Sequence, residues 1–203
     1  MKIAIDVMGG DNAPLAPIQG GVLAAKAYGE EIVLVGPEER IRSILKEQGA
    51  ENTPGISIVH APDVVDMHDD PATVLRQKPE SSMAVALKLV KNGEADAIVS
   101  AGSTGALLSG ATLICKRIKG IRRAALAPVM PCAGGQVMLV DAGANTECTA
   151  EYLLQFAYLG SPLGKSMIQI KFRKTMFWAW QVTLSNFQSS AFGAVYQYHS
   201  DGR

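Results

Sequence analysis

Three apolar stretches of this chain each run directly into a glycine-bearing turn and then into a helical pattern, and that recurrence limits the fold more than any other feature. Residues 2–6 lead through Met8-Gly9-Gly10-Asp11-Asn12 into a helix over 14–28, whose proline suits a first helical turn. Residues 97–100 lead through Ala101-Gly102-Ser103-Thr104-Gly105 into an apolar helix reaching about residue 118. Residues 137–141 lead through Ala142-Gly143-Ala144-Asn145 into a helix over 146–159. Units of the same alternating kind lie between them: strands at 32–35 and 56–60, a helix over 37–48 stopped by Gly49, and a weaker strand at 124–129. Residues 80–92 place Met83, Leu87 and Val90 on one side of a further helix that Gly93 closes. Parallel neighbours need crossover connections, so the alternation predicts an α/β fold: a mainly parallel sheet with helices on both faces, in three layers.

The turns also suggest chemistry. The first N–H groups of a helix lack intrahelical partners and sit at the positive end of its dipole, so an anion is stabilised there, and glycine allows close approach. Ligands of such sheets gather at the carboxyl ends of strands, where the three turns are expected to form a shared cleft. A single glycine turn also serves chain reversal alone; the argument rests on the combination. Neither GxGxxG nor GxxxxGK[ST] occurs, which argues against dinucleotide and triphosphate loops.

Asp6, Asp11 and Asp141 stand beside the turns, fit to orient a substrate or accept a proton, while Asp11 and Asp141 serve equally well as helix caps or turn braces. Arg76 and Lys78 precede the Ser81-Ser82 pair that opens a helix, an arrangement suited to gripping an anion; exposed loop cations with Ser81 as a simple N-cap are the alternative. His60 reads as a strand-end residue and His68 as a surface turn residue, and Arg122 and Arg123 as solvated cations, with pairing to acidic neighbours as the alternative. Cys115, Cys132 and Cys148 are odd in number and lack zinc-ligand spacing, so they read as small apolar residues rather than a disulfide framework or metal site. The 203 residues balance 19 basic against 19 acidic side chains, so nothing demands a nucleic-acid partner. The first residues resemble neither a signal peptide nor a membrane span, and the expected location is cytoplasmic.

The balance conceals a break. Residues 1–161 carry 14 basic and 18 acidic side chains, whereas residues 162–203 carry five basic residues against Asp201 alone. Most of the aromatic residues also lie in the later stretch, including Trp178 and Trp180. A domain boundary is therefore expected near Ser161.

At Asp6-Val7-Met8-Gly9-Gly10-Asp11, Ser81-Ser82-Met83, Val99 to Leu107, Asp141-Ala142-Gly143-Ala144-Asn145 and Gln155-Phe156-Ala157, the sequence resembles the bacterial phosphate acyltransferase family. These enzymes make acyl phosphate from acyl-acyl-carrier-protein and inorganic phosphate at the entry to phospholipid synthesis. Ser103 stands where the family often has Asn, and Pro79 where a basic residue is common. The resemblance implies direct attack of phosphate on the thioester, with no protein nucleophile, metal or cofactor. It implies catalytic or positioning roles for Asp6, Asp11, Arg76, Asp141 and Asn145. Phosphate and substrate contacts would come from Gly9, Gly10, Ser82, Ser100, Gly102, Ser103, Thr104, Gly105 and Gly143. The implied partners are acyl carrier protein and phosphate, with a homodimer and peripheral membrane association in full-length relatives. A phosphotransacetylase-like enzyme acting on acyl-CoA and an inactive fragment are the alternatives. The resemblance covers residues 3–161; the tail reads as a frame-shifted, foreign or disordered end, or a divergent folded cap, and the cleft is expected to be incomplete without a second half.

Overall fold

A computed structural model describes residues 1–132 and 135–167, so the expectations for the tail from residue 168 onward lie outside the described residues. The chain divides into two compact units, Met1–Ile118 and a second beginning at Lys119.

The first unit is the three-layer α/β body expected. Strands β1 (Lys2–Asp6), β2 (Glu31–Gly36), β3 (Ile56–His60) and β4 (Ala97–Ser100) form one sheet in the order β3-β2-β1-β4, with every pairing parallel. Helices α1 (Leu15–Tyr28), α2 (Glu38–Glu47), α3 (Val74–Gln77) and α4 (Ser82–Asn92) supply the crossovers. Side chains alternate faces along a strand, so the two halves of the core can be read from residue parity. Ile5, Val7, Ile32 and Leu34 point to one face and pack on Ile18 and Val22 of α1 and Ile41 and Leu45 of α2. Ala4, Val33 and Val35 point to the other and pack on Ala86 of α4. A strand covered on both faces has no use for alternation, which explains the unbroken apolar run of β2.

Local chemistry sets the helix ends. Gly29 and Gly93 close α1 and α4 at φ +68° and +76°, the left-handed conformation that favours glycine. Ser81 caps α4, its Oγ accepting from the Ala84 N–H at 3.4 Å while donating to the Lys78 carbonyl at 2.8 Å. This is the simple N-cap that the sequence left open.

After β4 comes α5 (Thr104–Gly110), which passes into a π-helical turn, Ala111–Cys115, rather than continuing as one α-helix to residue 118. Ala106 of α5 joins Met83, Leu87, Val74 and Leu75 in a third apolar cluster, so α5 packs on the α4 side of the sheet.

The second unit departs from the expected parallel alternation. Strands β5 (Val129–Cys132) and β6 (Gly135–Met138) form a separate antiparallel pair, followed by α6 (Ala150–Met167). Two intervening residues allow a hairpin but no crossover, so the adjacent apolar runs pair with one another. The strands expected at 124–129 and 137–141 are each displaced by a few residues, and α6 runs through the Ser161 boundary without a break. No described helix is long and apolar enough to cross a membrane.

Candidate functional site

The sheet order locates the site within the first unit. The chain steps outward from β1 to β2 to β3, then returns to place β4 on the opposite side of β1. The helix after β1 packs on one face and the helix after β4 on the other. The carboxyl ends of β1 and β4 therefore form a topological switch point, where open α/β sheets bind ligands. Two of the three glycine turns, 8–12 and 101–105, lie there.

A buried carboxylate joins the elements that meet at this point. Asp6, the last residue of β1, is 2% exposed and is in register with Ser100, the last residue of β4. In-register neighbours point to the same face, so Ser100 Oγ reaches Asp6 Oδ2 and donates to it at 2.7 Å. Asp6 also lies two residues beyond Ala4, on the face covered by α4. Ser82, the first residue of α4, accordingly donates from Oγ to Asp6 Oδ1 at 2.6 Å, and the Met8 N–H donates to the same oxygen at 3.2 Å. Three donors hold a charge that would be costly to bury alone.

Both Asp6 oxygens are thus engaged within the fold, by Ser82 and the Met8 N–H on one and by Ser100 on the other. The same network involves two glycines. Ser100 Oγ accepts from the Gly102 N–H at 3.1 Å, so that donor is occupied rather than offered to an anion. A Cβ at Gly9 would lie 2.7 Å from the Gly102 nitrogen, and one at Gly102 would lie 3.3 Å from the Gly9 Cα and 3.2 Å from Met83 Cε. The two residues are glycine because two turns press backbone to backbone. Gly10, at φ +98°, completes the first turn against Ala101.

The second turn retains donors. Ser103 caps α5, its Oγ accepting from the Ala106 N–H at 3.4 Å. The N–H groups of Thr104 and Gly105, in the first helical turn, have no intrahelical partner. Gly105 faces Pro71, from the 66–73 loop.

The flanking charged residues divide. Lys78 Nζ donates to Asp69 at 2.5 Å and to the Val64 carbonyl at 3.1 Å, so it braces its own loop rather than waiting for an anion. The Lys78 hydrogen bond, with a backbone bond from Asp66, holds the Asp69 carboxyl below its ordinary range. Arg76 on α3 and Asp11 in the first turn are exposed, with no ion pair for either among the described residues. His60, at the end of β3, caps α2: its Nδ1 accepts from the Glu38 N–H at 3.3 Å.

The third turn belongs to the second unit and is a clamp in its own right. Asp141 Oδ1 accepts from the N–H groups of Leu126 (2.8 Å) and Ala144 (3.1 Å). Its Oδ2 accepts from the Asn145 N–H (2.8 Å) and from Asn145 Nδ2 (3.0 Å). Asn145 Nδ2 also donates to the Ala124 carbonyl at 2.9 Å, tying the turn to residues 124–126. Partial burial pushes the Asp141 carboxyl up, but these bonds together outweigh it and hold the group below the ordinary carboxylate value. The N–H groups of Ala144 and Asn145, expected to meet phosphate or oxyanion, are thus satisfied by Asp141. Gly143, at φ +105°, allows the reversal between them.

Residues 1–175 match the family described as "Fatty acid synthesis protein". Among curated relatives, "Phosphate acyltransferase" of Clostridium acetobutylicum is 48% identical over 172 residues, covering 84% of this chain and 52% of that protein. The protein of the same name from Herpetosiphon aurantiacus is 42% identical over 170 residues, 84% of this chain and 46% of the relative. That of Desulforamulus reducens is 49% identical over 162 residues, 79% and 48% respectively. The chain thus spans about half the length of these relatives, and the family match passes the compositional boundary near Ser161.

Proposed function

The chain belongs to this fatty acid synthesis protein family, and from that premise we propose that its protein transfers a fatty acyl group from acyl carrier protein to inorganic phosphate, giving acyl phosphate for phospholipid synthesis. The observation that carries the reading is the pair of glycine turns joined through Asp6, Ser82 and Ser100 at the switch point of the sheet. The family resemblance supplies the reaction, and the first unit offers a rigid edge at which an anion can be met by backbone donors.

In the proposed reaction a phosphate oxygen attacks the thioester carbonyl carbon, the carbon–sulfur bond breaks, and the carrier leaves as its thiol after taking up a proton. No side chain need become acylated. The work left to the protein is holding phosphate in line and stabilising charge on the carbonyl oxygen. Thr104 and Gly105 supply for phosphate N–H groups that have no hydrogen-bond partner among the described residues, Ser103 shapes the turn, and Gly9 and Gly10 bring the first turn against it. Arg76 and Asp11, exposed and without ion pairs among the described residues, are assigned to the incoming substrate. Asp141, Asn145 and Gly143 are assigned to shaping a second turn rather than to proton transfer. The homodimer, the peripheral association with membrane and the cytoplasmic location implied by the resemblance belong to the same proposal.

The test is to incubate acyl-acyl-carrier-protein with the protein, with and without phosphate, and follow the thioester. Loss of thioester that requires phosphate, with acyl phosphate trapped as a hydroxamate, supports the proposal. Phosphate-independent hydrolysis, or acyl-CoA consumed in preference to the carrier, would contradict it.

A further inference from the structure

We infer that Asp6 is a positioning residue: its carboxylate sets the direction in which the Ser82 and Ser100 hydroxyls donate, and thereby decides which N–H groups of the 101–105 turn remain for an anion. The inference rests on the proposed phosphate site and concerns how that site is held. A serine hydroxyl has one proton and two lone pairs, so the carboxylate that claims the proton leaves only acceptor capacity facing elsewhere. An ionised carboxylate is acceptor-only, and Asp6 accepts a hydrogen bond from each hydroxyl, Ser82 at 2.6 Å and Ser100 at 2.7 Å. Ser100 must then face the turn as an acceptor, and it accepts the Gly102 N–H at 3.1 Å. The line from Asp6 through Ser100 to Gly102 engages the Gly102 donor of the turn and fixes the backbone on which Thr104 and Gly105 follow.

The partners come from far apart in the chain, 76 residues for Ser82 and 94 for Ser100, so one side chain ties the start of α4 and the end of β4 to the end of β1. Asp6 does this from behind the turns, itself 2% exposed, which separates it from residues that touch substrate. An amide in its place has one acceptor and one donor group. Because the Met8 N–H already donates to the oxygen on the Ser82 side, the amide nitrogen falls on the Ser100 side; Ser100 Oγ must then accept from it and turn its own proton away, which weakens the acceptor presented to Gly102.

The experiment is a phosphate titration of the 203-residue chain, following backbone amide resonances of residues 8–10 and 102–105, for the natural sequence, D6N, S100A, S100T and V33A. V33A removes methyl groups from the core at β2, outside both turns, and provides a loss of stability unconnected to the carboxylate. Expected are phosphate-dependent shifts at Ser103 to Gly105 in the natural chain, and an affinity roughly tenfold or more weaker in D6N and S100A. Near-natural affinity is expected in S100T, which keeps the hydroxyl, and in V33A. Amide exchange in β2 reports whether each variant is folded; if D6N does not fold, S100A against S100T carries the comparison. Equal affinity in the natural chain, S100A and any folded D6N would overturn the inference. So would a V33A loss matching that of S100A. Absence of any phosphate response at these turns in the natural chain would instead overturn the proposed site.

Discussion

Gly9→Ala is the most informative single substitution in the first unit, because the added methyl has nowhere to go. It would meet the Gly102 nitrogen at 2.7 Å and the Asp6 Oδ2 and Ser100 Oγ atoms at 2.9 Å each. Comfortable carbon contacts lie nearer 3.5–4.0 Å. One obstacle is backbone and the other two are partners in a 2.7 Å hydrogen bond, so relief requires parting the turns or breaking that bond. Overpacking of this kind costs about 1–3 kcal/mol, and weakening a hydrogen bond to a buried charge about 1.5–3 kcal/mol more. Allowing for partial relaxation, the expected loss is about 3 kcal/mol. The assay is native-state amide exchange at the centre of β2, whose buried backbone reports on the first unit itself; the loss should speed the slowest exchange roughly 100-fold. Gly20→Ala is the control. It sits in the middle of α1, where beyond its own helix no described residue lies within 4 Å of the added carbon, and should stabilise by about 0.5–1 kcal/mol. A G9A chain as stable as the natural one, while G20A behaves as expected, would refute the claim that the two turns are packed backbone to backbone.

Other outcomes follow from the same geometry. The Asp141 carboxyl has a depressed pKa, so its stabilisation is complete above the unfolded value of about 3.9 and is lost as pH falls through the lower folded value. Amide exchange at Leu126, Ala144 and Asn145, after correction for intrinsic rates, should lose protection in that acid range and already be unprotected at neutral pH in D141A; pH-independent protection would contradict the clamp. Cys148 is exposed and Cys115 partly buried, with burial pushing both thiols up and the Asp141 charge raising Cys148 further. At neutral pH iodoacetamide should modify both slowly, Cys148 first, and D141N should speed Cys148 alone; prior reaction at Cys115 would count against the described packing. Ser81→Ala removes the cap of α4 and should cost about 1 kcal/mol by urea denaturation, whereas Ser81→Asp should retain most of it.

What could be read before folding was the local part. The limits of β1, β3 and β4 were legible as apolar runs that stop at glycine or charge, and α4 as a serine-capped, glycine-closed helix. The family was legible because its motifs are contiguous. The Asp6 network was not, since its members are 76 and 94 residues apart and only the register of β1 with β4 and the parity of the α4 face bring them together. Without it, Gly102 reads as room for an anion when it is room for Gly9. The third turn misled for a related reason. Its strand resembles the other two in isolation, but its pairing depends on the apolar run just before it, and a two-residue connection favours a hairpin over a place in the parallel sheet. Asp141 and Asn145 announce a turn locally, whereas their bonds to residues 124–126 appear only in the folded chain.

The central claim is acyl transfer to phosphate itself, and isotope tracing tests it most directly. Phosphate labelled with 18O in every position is supplied with the protein and acyl-acyl-carrier-protein, and the acyl phosphate is analysed by mass spectrometry. Attack by a phosphate oxygen on the thioester predicts acyl phosphate that keeps every labelled oxygen, formed in step with release of the carrier thiol. Release of free fatty acid with no labelled acyl phosphate would contradict the account.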